Sequence, residues 1–269
     1  MNTSEHLPDT TANLGKPRMP ALFIGHGSPT NAIEAGEFSR AWAEWGVSLR
    51  KPKAILCVSA HWQTEGVRLT AMDQPTTIHD FYGFSQALFD MGYPAPGDPA
   101  LALRIIQTMR QVPIQADTDW GLDHGSWSIL CHMFPAADIP VLQLSLDRNQ
   151  SPEQHYQLGK ALRWLRDEDV LIIGSGNIVH NLQAVIWRDT AHTWAVRFAE
   201  RVKQLIAGQD HRGLVRYREI SDAALAIPTD EHFLPLLYIL GLQDEGEKVQ
   251  FLTDKTTLGA ISMLSIQVG

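Results

Sequence analysis

Short apolar runs of strand length alternate along this chain with longer segments in which apolar residues recur at helical spacing. The strand-like runs cover residues 21–24, 54–59, 141–146, 170–173 and 261–268. Such alternation is typical of α/β proteins. We therefore predict one α/β domain over residues 19–269, with a central, mostly parallel sheet flanked by helices. Residues 1–18 are polar and are expected to form a flexible tail.

Two predicted helices are marked by a capping side chain that is followed by proline. Asp98 precedes Pro99, and Ser151 precedes Pro152. Each pair combines an N-cap side chain with proline at the first helical position, where its missing N–H costs nothing. An amphipathic stretch over residues 193–207 predicts a further helix.

The charge balance excludes some classes of partner. The 269 residues include 22 Lys and Arg against 30 Asp and Glu, which gives a formal charge of -8. Proteins that grip a phosphate backbone carry a basic stripe, which this sequence lacks, so we expect no nucleic-acid partner. With 44% hydrophobic residues the chain can bury a sizeable core. We expect a monomer that binds small molecules.

The first residues and the cysteines indicate a compartment. Residues 1–18 lack the apolar stretch of a secretory signal, and no apolar run is long enough to span a bilayer. Cys57 lies in a strand-like run and Cys131 in a helix-like segment, so the two resemble buried thiols more than a disulfide pair. We therefore expect a cytoplasmic protein without membrane contact.

Three histidines follow the ends of three predicted strands. His26 follows the first apolar run, His61 the second, and His180 lies shortly after the fourth. In open α/β sheets, ligands collect at the C-terminal ends of the strands. These side chains are therefore expected to meet there and to form the active site. A fourth histidine, His232, opens a helix-like segment.

The four histidines together favour a transition-metal site, because imidazole suits Fe, Zn, Cu and Ni. Any one of them alone is more often an ordinary loop or core residue, and the glycines beside His26 also fit a plain strand-to-helix turn. The segment GHGSP lacks the Lys and the spacing of a phosphate-binding loop. The chain also lacks the Gly-x-Ser-x-Gly turn of serine hydrolases.

Two further segments have a functional and a structural interpretation. His124, in the segment DHGSW, is a candidate acid/base, or else a loop residue that caps the helix-like segment after it. The aromatic-rich residues 78–84 are expected either to wall a pocket for a flat ring or to pack as an ordinary loop. The residues by themselves leave both pairs of alternatives open.

Eight motifs, in order along the chain, carry a resemblance to a known family. They are RMPALFIGHGSP, VSAHW, TIHDFYGF, YPAPGDP, GLDHGSWSIL, SGNIVHNL, DEHFLPLLYILG and SMLSIQVG. Together they resemble the DODA-type class III extradiol ring-cleavage dioxygenases. The likeness runs from about Arg18 to Gly269 and leaves only the tail outside.

The resemblance implies an enzyme that opens a catechol with O2, for example DOPA by 4,5-cleavage to a seco-DOPA semialdehyde. It also implies non-haem Fe(II) for activity, with zinc as an ion that can occupy the same site. Carried over by motif, the metal histidines are His26, His61, His180 and His232, and the substrate-pocket histidine is His124. More distant class III relatives complete the site with a glutamate, so Glu231 is an alternative to His232, which we favour.

A count of coordination positions indicates a special role for His180. An iron that holds both catechol oxygens and O2 needs three adjacent open positions, which three protein ligands allow and four do not. We therefore predict that His180 leaves the metal and acts with His124 as an acid/base.

A zinc hydrolase on the same histidines is a rival function. A metal chelatase is another, although only the GHGS segment resembles one.

Overall fold

An eight-stranded sheet runs through residues 17–269, the part of the chain that the computed structural model describes. The strands of the structure are β1 (Ala21–Gly25), β2 (Ala54–Thr64), β3 (Val67–Thr70), β4 (Ile114–Asp117), β5 (Val141–Asp147), β6 (Val170–Gly176), β7 (Val249–Thr253), β8 (Thr256–Thr257), β9 (Ile261–Ser262) and β10 (Ser265–Val268). The sheet order is β4-β3-β5-β2-β6-β1-β10-β7, and β8 pairs with β9 separately. The central pairs β5-β2, β2-β6 and β6-β1 are parallel.

Helices cover both faces of this sheet. They are α1 (Glu37–Ser48), α2 (Gln86–Phe89), α3 (Pro99–Thr108), α4 (His124–Met133), α5 (Pro152–Ala161), α6 (Thr193–Ala207), α7 (His211–Val215), α8 (Ala223–Ala226) and α9 (Leu234–Gly241). Shorter 3-10 turns cover Pro29–Ala32, Arg163–Glu168, Leu182–Ala184 and Tyr217–Glu219. The predicted single α/β domain with a central, mostly parallel sheet is confirmed.

Burial on both faces explains why the strands are continuous apolar runs. On β2, Leu56 and Val58 point into one hydrophobic core, whereas Ile55 and Cys57 point into a second core on the opposite face. Successive side chains of a strand alternate between the faces, so a strand covered by helices on both sides is apolar at every position.

The predicted helix starts agree with the structure. Asp98 accepts a hydrogen bond from the Leu101 N–H at 2.8 Å, and α3 begins at the next residue. Ser151 caps α5 in the same way and forms a capping box with Gln154. The amphipathic stretch over residues 193–207 is α6.

Other predictions at the sheet were wrong in detail. Residues 261–268 do not form one strand, because β9 pairs with β8 whereas β10 pairs with β1 and β7. The chain bends between them, where the Met263 backbone lies against Gly25, and a Cβ on Gly25 would be 2.8 Å from the Met263 Cα. The strands β3, β4 and β7 were not predicted. Each is short, at four or five residues, and lies near a sheet edge.

The predicted tail over residues 1–18 lies outside the described residues, except for its last two. The guanidinium of Arg18 donates to Asp167 at 2.6 and 2.7 Å. Cys57 and Cys131 are both free thiols. No helix within residues 17–269 has the length and apolar character needed to cross a membrane.

The helices α5 and α9 approach each other closely at two glycines. A Cβ on Gly159 would lie 2.3 Å from the backbone oxygen of Tyr238, and one on Gly241 would lie 2.4 Å from that of Tyr156. Only a residue without a side chain fits at these positions. The helix α9 begins two residues after His232.

We expect Gly159→Ala to lower the free energy of unfolding by about 1–3 kcal/mol, because the added methyl group must push α5 away from α9. Chemical denaturation monitored by circular dichroism measures this change. Gly92→Ala is the matched control, since a Cβ there meets no atom within 4 Å. Equal stability of the two variants would show that the α5–α9 contact tolerates the extra volume.

Candidate metal centre

Five histidines from distant parts of the chain meet beside the central strands. His26 directly follows β1, and His180 follows β6 after a short turn. His61 lies within β2, which continues to Thr64, and therefore not beyond the strand end as predicted. His124 is the first residue of α4, and His232 lies in the turn before α9.

Three of these rings form a nearly equilateral triangle. The ring centroids are 5.0 Å apart for His26 and His61, 5.3 Å for His26 and His232, and 5.1 Å for His61 and His232. Imidazoles that share one tetrahedral ion at a metal–nitrogen distance of about 2.1 Å have ring centres about 5 Å apart. The spacing of this triangle therefore fits a single metal ion.

The other two rings are arranged differently. His180 stacks on His232 with centroids 3.5 Å apart and an interplanar angle of 7°. Because the two rings lie in nearly parallel planes, one ion cannot lie in the plane of both, as a strong imidazole–metal bond requires. His124 lies on the opposite side, 3.9 Å from His61 between ring centroids.

Oxygen acceptors lie beside the Nδ1 atom of each ring in the triangle. His26 Nδ1 is 2.9 Å from Ser175 Oγ, and the Ser175 hydroxyl itself donates to a backbone carbonyl. His61 Nδ1 is 3.2 Å from an Asp80 carboxylate oxygen. His232 Nδ1 is 2.9 Å from Glu231 Oε1. The Glu231 carboxylate only accepts hydrogen bonds, so this contact favours the proton on His232 Nδ1. The Asp80 charge and the Ser175 hydroxyl, which already donates elsewhere, favour the same tautomer in His61 and His26, with the lone pair on Nε2.

Among the described residues, the Nε2 atoms of the triangle lack ordinary hydrogen-bond acceptors. Those of His26 and His61 are 3.1 Å apart, which brings two lone pairs against each other. His232 Nε2 is buried and has no hydrogen-bond partner. Buried polar atoms are normally satisfied, and a cation is the group that satisfies converging lone pairs. The donor set therefore fits a metal ion, with the three oxygen acceptors as its outer shell.

The electrostatics of the site keep the imidazoles neutral. Burial lowers the pKa of His26 and of His232 well below the ordinary value, and the neighbouring histidines lower it further. Burial, followed by repulsion from His124, lowers the pKa of His61 to about 3 and that of His180 to about 4. A metal binds the neutral form, so these rings are ready to bind at neutral pH.

Backbone contacts hold His232 against the end of β6. The Asn177 N–H donates to the His232 carbonyl at 2.8 Å. A Cβ on Gly176 would lie 2.1 Å from the same carbonyl oxygen, so glycine is required there. The segment SGN at the end of β6 thus leads toward His180 and also positions a histidine from a remote turn.

Two sets of metal-capable groups can be separated by distance. The ligand atoms of His26, His61 and His124 lie within 4.8 Å of one another, and so do those of His180, Glu231 and His232. The predicted set of His26, His61, His180 and His232 draws members from both. The triad of His26, His61 and His124 could hold a metal, and so could His180, Glu231 and His232.

Asp80 is the site residue that sequence reasoning missed. One of its carboxylate oxygens lies 2.9 Å from His124 Nδ1, and the other faces His61. The segment 78–84 was expected either to wall a pocket for a flat ring or to pack as an ordinary loop, and no spacing rule marks a carboxylate within it. His79, next to it, is turned away and its Nε2 lies 2.9 Å from the Met91 carbonyl.

A cavity of about 610 Å³ is lined by the five histidines. Aromatic and aliphatic side chains line its walls, among them Phe81, Phe84, Trp187 and Leu258. Within the part of the chain that the structure describes, the charged lining residues are Asp80 and Glu231, with no Lys or Arg. A mostly apolar cleft with a few convergent polar groups is typical of a small-molecule site.

The chain matches a family model over residues 19–268, that of the catalytic LigB subunit of aromatic ring-opening dioxygenase. The match covers nearly the whole chain, and the chain belongs to this family. The predicted resemblance to extradiol ring-cleavage dioxygenases is confirmed, and the protein is an enzyme of this type.

Relatives and a solved structure agree with this assignment. The 4,5-DOPA dioxygenase extradiol of Escherichia coli (strain K12) is 46% identical over 258 residues, which cover 94% of this chain and 95% of the relative. The protein of the same name from Beta vulgaris is 36% identical over 250 residues, which cover 90% of this chain and 93% of the relative. A crystal structure of uncharacterized protein JW3007 from Escherichia coli K12 superposes with a TM-score of 0.84 at 42% identity, covering 94% of this chain and 100% of that chain.

We expect Gly125→Ala to weaken metal binding by about 10-fold or more, the range seen when an outer-shell contact is lost. A Cβ at this position would lie 2.5 Å from Ser59 Oγ and 2.9 Å from His61 Cδ2, so the ring of His61 must move. Zinc affinity measured by competition with a chromophoric chelator tests this, with Gly92→Ala as the control. Unchanged affinity would show that His61 does not need its present position.

Proposed function

We propose that the chain is an Fe(II)-dependent extradiol dioxygenase that opens the ring of a catechol with O2, with DOPA and 4,5-cleavage as the leading substrate and regiochemistry. The observation that carries the proposal is the triangle of three neutral imidazoles that line an aromatic-walled cavity, with the Nε2 atoms of His26 and His61 3.1 Å apart. The names of the relatives from Escherichia coli and Beta vulgaris support the choice of DOPA.

In this proposal His26, His61 and His232 hold the ion. A ferrous ion bound there supplies Lewis acidity toward the catechol hydroxyls and a path for electrons between the ring and O2. Three histidine ligands leave enough coordination positions for both substrates, as in other iron sites with three protein ligands. Glu231 then serves as the partner of His232 Nδ1 and not as a ligand.

His180 and His124 are the proposed acid/base pair. His180 stacks on a proposed ligand without converging on the ion, and it lines the cavity. Its imidazole is therefore free to take the proton of a catechol hydroxyl. His124 lies on the other side with Nδ1 beside Asp80, which leaves Nε2 as the atom that gives or takes a proton.

The remaining parts of the proposal concern the setting of the enzyme. We propose iron as the ion in the cell and zinc as an alternative occupant, since imidazole ligands accept both. We further propose a cytoplasmic monomer with a catalytic domain over residues 19–269. The acidic formal charge of -8 supports a partner other than nucleic acid.

The test of the function is a spectral assay of the ferrous-reconstituted protein with DOPA and with simple catechols. We expect a yellow ring-opened product that forms in air and stops forming without O2. A zinc hydrolase would act on its substrate equally well under anaerobic conditions, and a chelatase would insert metal into a tetrapyrrole without opening catechols. Either of these results, with no yellow product in air, would contradict the proposal.

Substitution of single histidines separates ligands from the acid/base. We expect His26→Ala and His61→Ala to lose bound iron and turnover together. His180→Ala is expected to keep iron and to lose turnover by about 100-fold or more. Metal analysis of the purified variants beside turnover measures both properties. His211→Ala, on α7 and outside the cavity lining, is the control, and full loss of iron in His180→Ala would make His180 an ordinary ligand.

The exposed aromatic residue at the mouth of the cavity is expected to affect binding more than chemistry. Trp187 lines the cavity and is 75% exposed, so its indole can cover a flat substrate without touching the proposed ligands. We expect Trp187→Ala to raise KM severalfold with little change in kcat, because the lost aromatic contact contributes about 1 kcal/mol to substrate binding. Steady-state kinetics with DOPA measures the split. A fall in kcat with KM unchanged would contradict this role.

A further inference from the structure

We infer that Asp80 is a positioning residue that orients a proposed metal ligand, His61, and the proposed acid/base, His124, with a single carboxylate. The inference rests on the proposed function of these two histidines. It adds a residue that neither the motifs nor the comparisons assign to the site.

The two oxygens of Asp80 are divided between the two rings. Oδ2 lies 3.2 Å from His61 Nδ1, and Oδ1 lies 2.9 Å from His124 Nδ1. The ring centroids of the two histidines are only 3.9 Å apart, so one carboxylate can reach both. Asp80 Oδ2 and His124 Nδ1 make no hydrogen bond of good geometry. The carboxylate therefore acts on the two rings through its negative charge, which favours the tautomer with the proton on Nδ1 in both.

The backbone fixes the carboxylate in this position. Oδ1 of Asp80 also accepts a hydrogen bond from the His124 N–H at 2.9 Å, at the first residue of α4. The preceding residue, Asp123, gives no side-chain cap to α4, because its carboxylate is held by Ser59 at 2.7 Å and by Gln143 at 2.7 Å. Asp80 therefore supplies the acceptor at this helix start, and the helix in turn holds Asp80.

Among the described residues 17–269, Asp80 makes ion pairs with histidines and not with lysine or arginine. Its ion-pair partners are His61 and His124. A carboxylate beside a histidine also raises the basicity of the other ring nitrogen and so strengthens a metal bond formed by it. His61 Nε2 is the atom that faces His26, so the effect is directed into the triangle.

The substitution Asp80→Asn tests the role with nearly unchanged shape. The side-chain amide of asparagine offers one oxygen and one NH2 group. One of the two rings then faces the NH2 group with its own Nδ1–H, which places two donors together, or that ring must change tautomer. We expect zinc affinity to fall about 10- to 100-fold, as for other outer-shell carboxylates. Chelator competition with zinc alone measures this without any catalytic assay.

Two matched variants complete the design. Asp73→Asn makes the same chemical change on the same loop, at an exposed residue outside the cavity lining, and is expected to keep wild-type zinc affinity. Asp80→Glu keeps the carboxylate and is expected to recover part of the affinity that Asp80→Asn loses. Zinc affinity of Asp80→Asn within twofold of that of Asp73→Asn would overturn the inference.

The link to His124 is tested by a double-mutant cycle in turnover at saturating iron. If Asp80 acts through His124, the loss caused by Asp80→Asn is expected to be at least about fivefold smaller when His124→Gln is already present. A residue with only a structural role would cause the same loss in both backgrounds, and this result would remove His124 from the inference.

A measurement on the wild-type protein covers the case in which Asp80→Asn does not fold. Nitrogen-15 NMR of the imidazoles in the zinc-free protein reports which ring nitrogen carries the proton. We expect Nδ1–H for both His61 and His124, and Nε2–H on either ring would overturn the inference for that ring. A wild-type protein that binds neither zinc nor iron would instead contradict the proposed function, so the two failures are distinguishable.

Discussion

The site depends on one constraint, which is that buried imidazole lone pairs that face each other are costly without a cation between them. His26 and His61 bring their Nε2 atoms to 3.1 Å, and His232 Nε2 is buried without a partner. Oxygen atoms beside the three Nδ1 atoms favour the tautomers that carry the proton on Nδ1. An arrangement that would be costly in an empty protein core is favourable around a metal ion, because the ion takes all three lone pairs at once.

The sheet makes this arrangement possible by bringing distant residues to one place. Parallel pairing of β1, β6 and β2 puts His26, His61 and the turn with His180 side by side. The fourth histidine, His232, comes from outside the sheet. Its backbone packs on Gly176, and its carbonyl accepts a hydrogen bond from the Asn177 N–H. Rigid strands and close backbone contacts hold the rings to the accuracy that a metal site requires.

Much of the fold and of the histidine site could be predicted from the sequence, because the signals that mark them lie in short stretches of neighbouring residues. Strands buried on both faces leave continuous apolar runs, so the core strands and the histidines after β1 and β6 were visible as patterns. The short edge strands β3, β4 and β7 leave weak patterns, and they were missed. The role of Asp80 could not be predicted, because its contacts with His61 and His124 depend on how a loop folds over the sheet. Likewise, the stacking of His180 on His232 depends on tertiary packing and not on spacing.

The most direct test of the account is a crystal structure of the iron- or zinc-loaded protein with anomalous data collected at the absorption edge of the metal. The account predicts one strong peak between the Nε2 atoms of His26, His61 and His232, at about 2.1 Å from each. It also predicts that Asp80 and Glu231 remain beside the Nδ1 atoms and do not touch the ion. A peak at another place, or coordination through Nδ1, would contradict it.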